Sequence, residues 1–142
     1  MICRNDIFCF NVESIPELEI INELAARENK IASICLRVNP DIKAHTHTHI
    51  RTGVAENKFG IAFDEIMYVI KLANTMSNIT FKGLHFHIGS QITEMDDFIS
   101  LCMCINRLLE MMEVEGIKAE IINVGGGLGV DYDTPQMHAI PD

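Results

Sequence analysis

Hydrophobic and polar positions in this chain alternate in two rhythms. Over 7–13 (IFCFNVE), 33–39 (SICLRVN), about 81–88 and 119–124, apolar residues recur at every second position, the period of a β-strand. Between these runs they recur every three or four positions, the period of a helix. Leu18, Ile21, Leu24 and Ala25 predict a helix to about Glu28. The capping box Ser14-x-x-Glu17 starts it, with Pro16 tolerated in the first turn. Ile66, Val69, Ile70 and Ala73 predict a second helix over 64–75. Phe98, Leu101, Cys102, Ile105, Leu108, Leu109 and Met112 predict a long one over 95–115, capped by Thr93. The polar stretch 40–60 exceeds the usual loop of a compact domain, which marks either function or disorder.

Strand and helix repeat three times, which predicts parallel strands joined by right-handed crossovers. Side-chain alternation then separates two α/β architectures. Phe8, Phe10 and Val12, then Ile34, Leu36 and Val38, then Leu84, Phe86 and Ile88, then Ile122 and Val124 share one apolar face. Cys9, Asn11 and Glu13, then Cys35, Arg37 and Asn39, then His85 and His87, then Ile121 and Asn123 share the other. That second face turns polar toward the C-terminal end of each strand. An open doubly wound sheet is covered on both faces and predicts apolar residues on both. A (β/α)8 barrel sets one face against helices and keeps its chemistry at the top of the lumen. The pattern favours the barrel, with the open sheet as the alternative. About four strands and three helices make half of a TIM barrel, whose usual size is about 250 residues. The expectation is a single partial barrel domain over 1–142, belonging to a longer protein.

The composition, 48% hydrophobic and 22% charged, is that of a soluble globular domain. A formal net charge of −9 argues against nucleic acid or an anionic membrane as a general partner. No apolar run approaches the roughly 20 residues of a membrane span. Met1-Ile2-Cys3-Arg4 lacks the zones of a signal peptide. The five cysteines are odd in number and mostly sit in apolar segments, as reduced thiols of the cytoplasm do.

Four segments can carry chemistry. Gly125-Gly126-Gly127-Leu128-Gly129 directly follows a strand, where consecutive glycines let backbone N–H groups crowd around an anion. Val130 breaks the dinucleotide fingerprint, and no G-K-[ST] follows, so a nucleoside-triphosphate P-loop is excluded. A tight strand exit is the bland alternative to phosphate binding. His45, His47 and His49 alternate and, with His85, His87, Cys102 and Cys104, allow a zinc site to be drawn. Their spacing matches no common ligand pattern, so a solvated loop is favoured over metal. His85 and His87 face the lumen, with His87 nearer the rim, where Gly89, Ser90 and Gln91 follow. Arg37 and Asn39 hold the matching positions one strand earlier. An arginine there needs a carboxylate, a phosphate or a polarised ring, and Glu13 is an available structural partner. Lys58 in Asn57-Lys58-Phe59-Gly60 is a further cation, more often simply solvated.

Taken together, FNVES at 10–14, RVNP at 37–40 with TGVAENKFGI at 52–61, GLHFHIGSQI at 83–92 and INVGGGLGVDY at 122–132 are similar to one family. The chain resembles the diaminopimelate decarboxylases, pyridoxal 5'-phosphate (PLP) enzymes with an alanine-racemase-like barrel. The resemblance runs over essentially the whole chain, in order and spacing. The ornithine decarboxylase branch has a related F-H-V-G-S segment but generally lacks the first histidine and the glutamine present here. The resemblance implies that His87 lies flat against the PLP ring and that Ser90 is near its phosphate. It implies that Gly125, Gly126 and Gly127 hold that phosphate through backbone N–H groups, with Arg37 near the ring's polar edge. It further implies a cytoplasmic lyase of lysine biosynthesis that converts meso-2,6-diaminopimelate to L-lysine and CO2. The full-length family member is expected to be a homodimer.

The departures are as informative. The family's imine-forming lysine is expected upstream of Met1, and none of the six lysines here matches it. The glutamate that pairs with the pyridine nitrogen, and a C-terminal β-domain, are expected after Asp142. No catalytic residue is therefore expected within the chain, and no activity from it alone. The alternatives are another decarboxylase of the same fold (ornithine, arginine or carboxynorspermidine), a non-catalytic PLP- or phosphate-binding module, and a metal-dependent barrel hydrolase.

Overall fold

The computed structural model describes residues 5–40, 42 and 58–129. The strands are β1 (Phe10–Val12), β2 (Ala32–Asn39), β3 (Ile61–Ala62), β4 (Ile79–His85) and β5 (Ile121–Asn123). The helices are α1 (Ile15–Arg27), α2 (Phe63–Thr75) and α3 (Met95–Val114). All pairings are parallel, in the order β1-β2-β4-β5, with β3 added to the end of β2. That order never reverses. A doubly wound sheet needs a reversal to bring helices onto its second face, whereas successive right-handed crossovers in one direction cover one face alone.

The covered face matches the alternation in the two central strands. Ile34, Leu36 and Val38 of β2 and Leu84 of β4 are buried, as are Phe86 and Ile88 beyond β4. They meet Leu18 and Ala25 of α1, Ile66, Val69, Ile70 and Ala73 of α2, and Leu101, Ile105, Leu108 and Met112 of α3 in one core cluster. Each such large side chain contributes roughly 1.5–3 kcal/mol by leaving water. Between Ile34 and Cys35 the β2–β4 register shifts: Ile34 pairs with Phe81, but Cys35 pairs with Gly83. Lys82 is the extra residue of this bulge. Gly83 is required beside it, because a Cβ there would lie 1.8 Å from the Ile121 carbonyl oxygen of β5.

Several expected boundaries move. The first strand pairs only over Phe10–Val12, and Phe8, placed with the apolar face by sequence, is 82% exposed. The third predicted strand starts earlier and ends at His85, because beyond it the chain leaves the β2 ladder. Ile61–Ala62 is a short unexpected strand between the polar stretch and α2. Glu94, not Thr93, caps α3, without a side-chain hydrogen bond. The residues before it are drawn into pairing with the glycine segment, so the cap shifts to Glu94 while the helix starts at Met95 as expected and ends at Val114. On α3 the buried line runs 97, 101, 105, 108 and 112, which turns Cys102 out to solvent. On α1 Leu24 is likewise exposed. Ile122 and Val124 stand at the sheet edge and remain partly exposed.

Candidate functional site

On the face away from the helices, β2, β4 and β5 each carry a polar side chain at a common height, and Glu13 joins them just beyond β1. Arg37 of β2 is in register with His85 of β4, and His85 with Asn123 of β5. Glu13 follows Val12, which pairs with Leu36, so it stands beside Arg37. Arg37 Nη1 donates to Glu13 Oε1 at 2.5 Å. The guanidinium also sits 5.5 Å from the centre of the Phe59 ring. Gly60, at φ +85°, presses on this strand: a Cβ there would come within 2.9 Å of the Arg37 carbonyl oxygen. The start of α1 secures Glu13. Ser14 Oγ accepts the Glu17 N–H at 3.4 Å, and Glu17 Oε2 accepts the Glu13 N–H at 2.8 Å. The capping box thus reaches one residue further back than the usual reciprocal bond.

His85 occupies the middle of this layer. Burial pushes its pKa down, the Asn123 side chain opposes that, and the Arg37 and His87 charges push it down again. Its Nδ1 is buried without a hydrogen-bond partner among the described residues. One layer deeper, Cys9 Sγ and Cys35 Sγ lie 3.2 Å apart. Burial and the Cys9 thiol push the Cys35 pKa up to about 12.

Above the layer, residues 86–92 leave β2 and follow the glycine segment instead. Phe86 N–H donates to the Asn123 carbonyl at 2.7 Å, and Ile92 N–H to the Gly127 carbonyl at 2.8 Å. Gly129 N–H returns a bond to Ile92 at 2.7 Å. Gly125, at φ +75°, packs on this rim. A Cβ there would lie 2.3 Å from the Phe86 carbonyl oxygen and 3.1 Å from His87 Nδ1. A Cβ on Gly127, at φ +100°, would lie 1.8 Å from the Gly89 carbonyl oxygen and 3.6 Å from Ser90 Cα. A Cβ on Gly126 would meet open space. The fold therefore gathers His87, Ser90, Gly125, Gly126 and Gly127 into one rim. Arg37 is a layer below, tied to Glu13. Gly125 N–H donates to Asn123 Oδ1 at 2.8 Å, so it is already engaged.

The other sequence candidates do not converge there. His45, His47 and His49 lie outside the described residues. Cys102 is exposed and Cys104 half-buried on α3, and no cluster of three metal-ligating residues occurs among the described residues. Lys58 is exposed in a turn. A cleft of about 420 Å³ lined by Asn39, Pro40, Ala62, Phe63, Asp64, Cys104 and Arg107 shares no residue with the glycine rim. Sequence reasoning missed the part played by Asn123. An asparagine two positions before a glycine, at a strand end, was the available signal, since its side chain readily bonds the backbone two residues on.

The rim suits a phosphate-bearing cofactor. Gly125 and Gly127 bring the backbone closer to the rim than any side chain permits, while the space beside Gly126 is open. His87 beside the loop supplies a flat, half-buried ring, and Ser90 an exposed hydroxyl. Residues 1–140 match the family described as pyridoxal-dependent decarboxylase, pyridoxal binding domain. The chain is 60% identical over 136 residues to a diaminopimelate decarboxylase of Bacteroides thetaiotaomicron, covering 96% of this chain and 35% of that one. It is 49% identical over 131 residues to that of Haemophilus influenzae, covering 91% and 32% respectively. A crystal structure of the enzyme from Methanocaldococcus jannaschii with L-lysine superposes with a TM-score of 0.81 at 38% identity, covering 94% of this chain and 31% of that one. The chain thus spans about a third of the length of the curated relatives it matches. The one-way strand order is accordingly an arc of an alanine-racemase-like (β/α)8 barrel.

Proposed function

From the premise that this chain belongs to the pyridoxal-binding domain family of pyridoxal-dependent decarboxylases, we propose that it forms the cofactor-facing arc of a diaminopimelate decarboxylase. The observation that carries this is the interlock of the 86–92 rim with Gly125–Gly129, which sets His87 beside Gly125 and Ser90 beside Gly127 and leaves the space at Gly126 open. In this proposal Gly126 and Gly127 offer backbone N–H groups to the phosphate of PLP, and Ser90 adds a hydroxyl. Gly125 shapes the loop. His87 lays its ring against the cofactor ring, and Arg37, neutralised by Glu13, borders the polar edge.

When bound, PLP supplies an electron sink for the carbon that loses CO2. The chain's own contribution is to bind, orient and exclude water on one side of that group. The buried apolar face behind β2 and β4 packs against the helices and so backs the rim. The substrate assignment, meso-2,6-diaminopimelate to L-lysine, is supported by the identity to the named relatives. A lysine that holds the cofactor covalently, a cytoplasmic setting, a homodimeric whole enzyme and independence from nucleic acid and membranes belong to the same proposal. Among the described residues no helix is long and apolar enough to cross a membrane.

Two measurements test it. Titrating the chain with PLP, followed by absorbance and fluorescence quenching, should show saturable binding that Gly126→Ala weakens. Replacing the matching segment of a diaminopimelate decarboxylase with residues 5–129 should preserve CO2 release from meso-diaminopimelate. A chimera that binds PLP but releases CO2 from ornithine instead would overturn the substrate assignment.

A further inference from the structure

Asn123 connects two parts of the rim that sequence spacing leaves unrelated. Its Oδ1 accepts the Gly125 N–H at 2.8 Å, which holds the first glycine of the loop at φ +75°. The same side chain meets the His85 ring from the neighbouring strand, at the same register. His85 Nδ1 has no partner among the described residues, which leaves Nε2 as the ring nitrogen available to the Asn123 amide. An amide oxygen carries two lone pairs, so Oδ1 can accept an imidazole Nε2–H as well as the Gly125 N–H. That tautomer leaves Nδ1 as an unpaired acceptor rather than an unpaired donor.

The surroundings keep His85 in this neutral form. Arg37 faces it from β2, His87 from the rim above and Glu13 from the end of β1. Burial disfavours an imidazolium, as do the Arg37 and His87 charges, and together they outweigh the Asn123 side chain and the Glu13 charge, which is paired with Arg37. An Nε2–H on His85 favours the same amide orientation that the Gly125 N–H requires, with Oδ1 toward both donors. That orientation determines which N–H groups of the loop are left for an anion: the Gly125 N–H is engaged, and those of Gly126 and Gly127 follow it.

We infer that Asn123 is a positioning residue of the anion-binding loop and that His85, as the neutral Nε2–H tautomer, orients its amide. This rests on the reading of that loop as the seat of the PLP phosphate. Neither residue needs to touch the cofactor.

The test uses the 142-residue chain with Asn123→Ala and Asn123→Asp. The alanine removes both bonds. The aspartate keeps an oxygen for Gly125 and sets a carboxylate beside His85. Amide hydrogen exchange at Gly125, the pKa of His85 from ring NMR shifts, and PLP affinity are measured on each. Asn123→Ala should speed Gly125 exchange roughly tenfold, the scale of one lost hydrogen bond, and weaken PLP binding by a similar factor. Asn123→Asp should keep Gly125 protected and raise the His85 pKa above that of the unsubstituted chain. Unchanged Gly125 exchange in the alanine variant, or an unmoved His85 pKa in the aspartate variant, overturns the inference even where PLP still binds. Failure of the unsubstituted chain to bind PLP, with the Gly125 and His85 effects intact, overturns instead the phosphate-seat reading.

Discussion

Gly127 lies so close to Gly89 that a Cβ on Gly127 would stand 1.8 Å from the Gly89 carbonyl oxygen. The contact joins the segments that follow β4 and β5, and Ile92 N–H bonds the Gly127 carbonyl nearby. Gly127→Ala must therefore open the rim as well as force alanine into φ +100°, which alone costs about 1–2 kcal/mol. Urea unfolding should show a loss of at least about 2 kcal/mol. Gly126→Ala, whose Cβ meets open space, should leave the urea midpoint nearly unchanged while weakening PLP binding. Equal destabilisation by both would contradict this picture of the loop.

Arg37 is held by Glu13, by the Phe59 ring and by the backbone around Gly60, with its side chain 14% exposed. Arg37→Ala removes an ion pair and a packed stem together and should cost about 1–3 kcal/mol. Arg37→Lys should recover part of this, since an ammonium reaches Glu13 but does not reproduce the planar contact with Phe59. Thermal unfolding of the two variants, at equal ionic strength, checks the ranking.

The depressed pKa of His85 has a definite sign for stability. Its neutral form is favoured in the folded chain, so the unfolded chain binds more protons in the window below about pH 6.5. The stabilising contribution is complete above that window and is lost as pH falls through the folded pKa. Tm should drop between pH 7 and pH 5, and His85→Gln should make the drop smaller. An identical pH dependence in the variant would show that other groups carry it.

Cysteine reactivity should follow burial. With its pKa at about 12, Cys35 has almost no thiolate at pH 8, and it is 3% exposed. Cys102 is exposed on α3. Iodoacetamide at pH 8 should label Cys102 within minutes and leave Cys35 unlabelled until denaturant is added. Peptide mapping by mass spectrometry reads both. Early labelling of Cys35 would mean that the region around β1 opens readily.

The alternation of side chains along each strand was legible from the sequence because it is a local property. Once a segment is extended, Leu36 and Arg37 must point to opposite faces, as must Leu84 and His85. The same locality made the glycine cluster, the capping serine and the rim histidine readable, and it carried the resemblance that the comparisons bear out. What depends on neighbours was less accessible. Cys102 and Leu24 fit a helical stripe, yet they face water because the buried line of each helix is chosen by what packs on it. Thr93 reads as a cap, but its segment is recruited by the glycine loop.

Register was the largest of these decisions. Ile34 pairs with Phe81 at an offset that would set Arg37 opposite Leu84. The extra residue at Lys82 shifts the ladder and sets Arg37 opposite His85 instead. No stretch of sequence encodes that alignment, because the strands are joined through a helix and meet only when their apolar faces pack on a common core. The chemistry available at each position was written locally. Its gathering into one layer, Glu13 to Arg37 to His85 to Asn123, was decided by packing between distant segments.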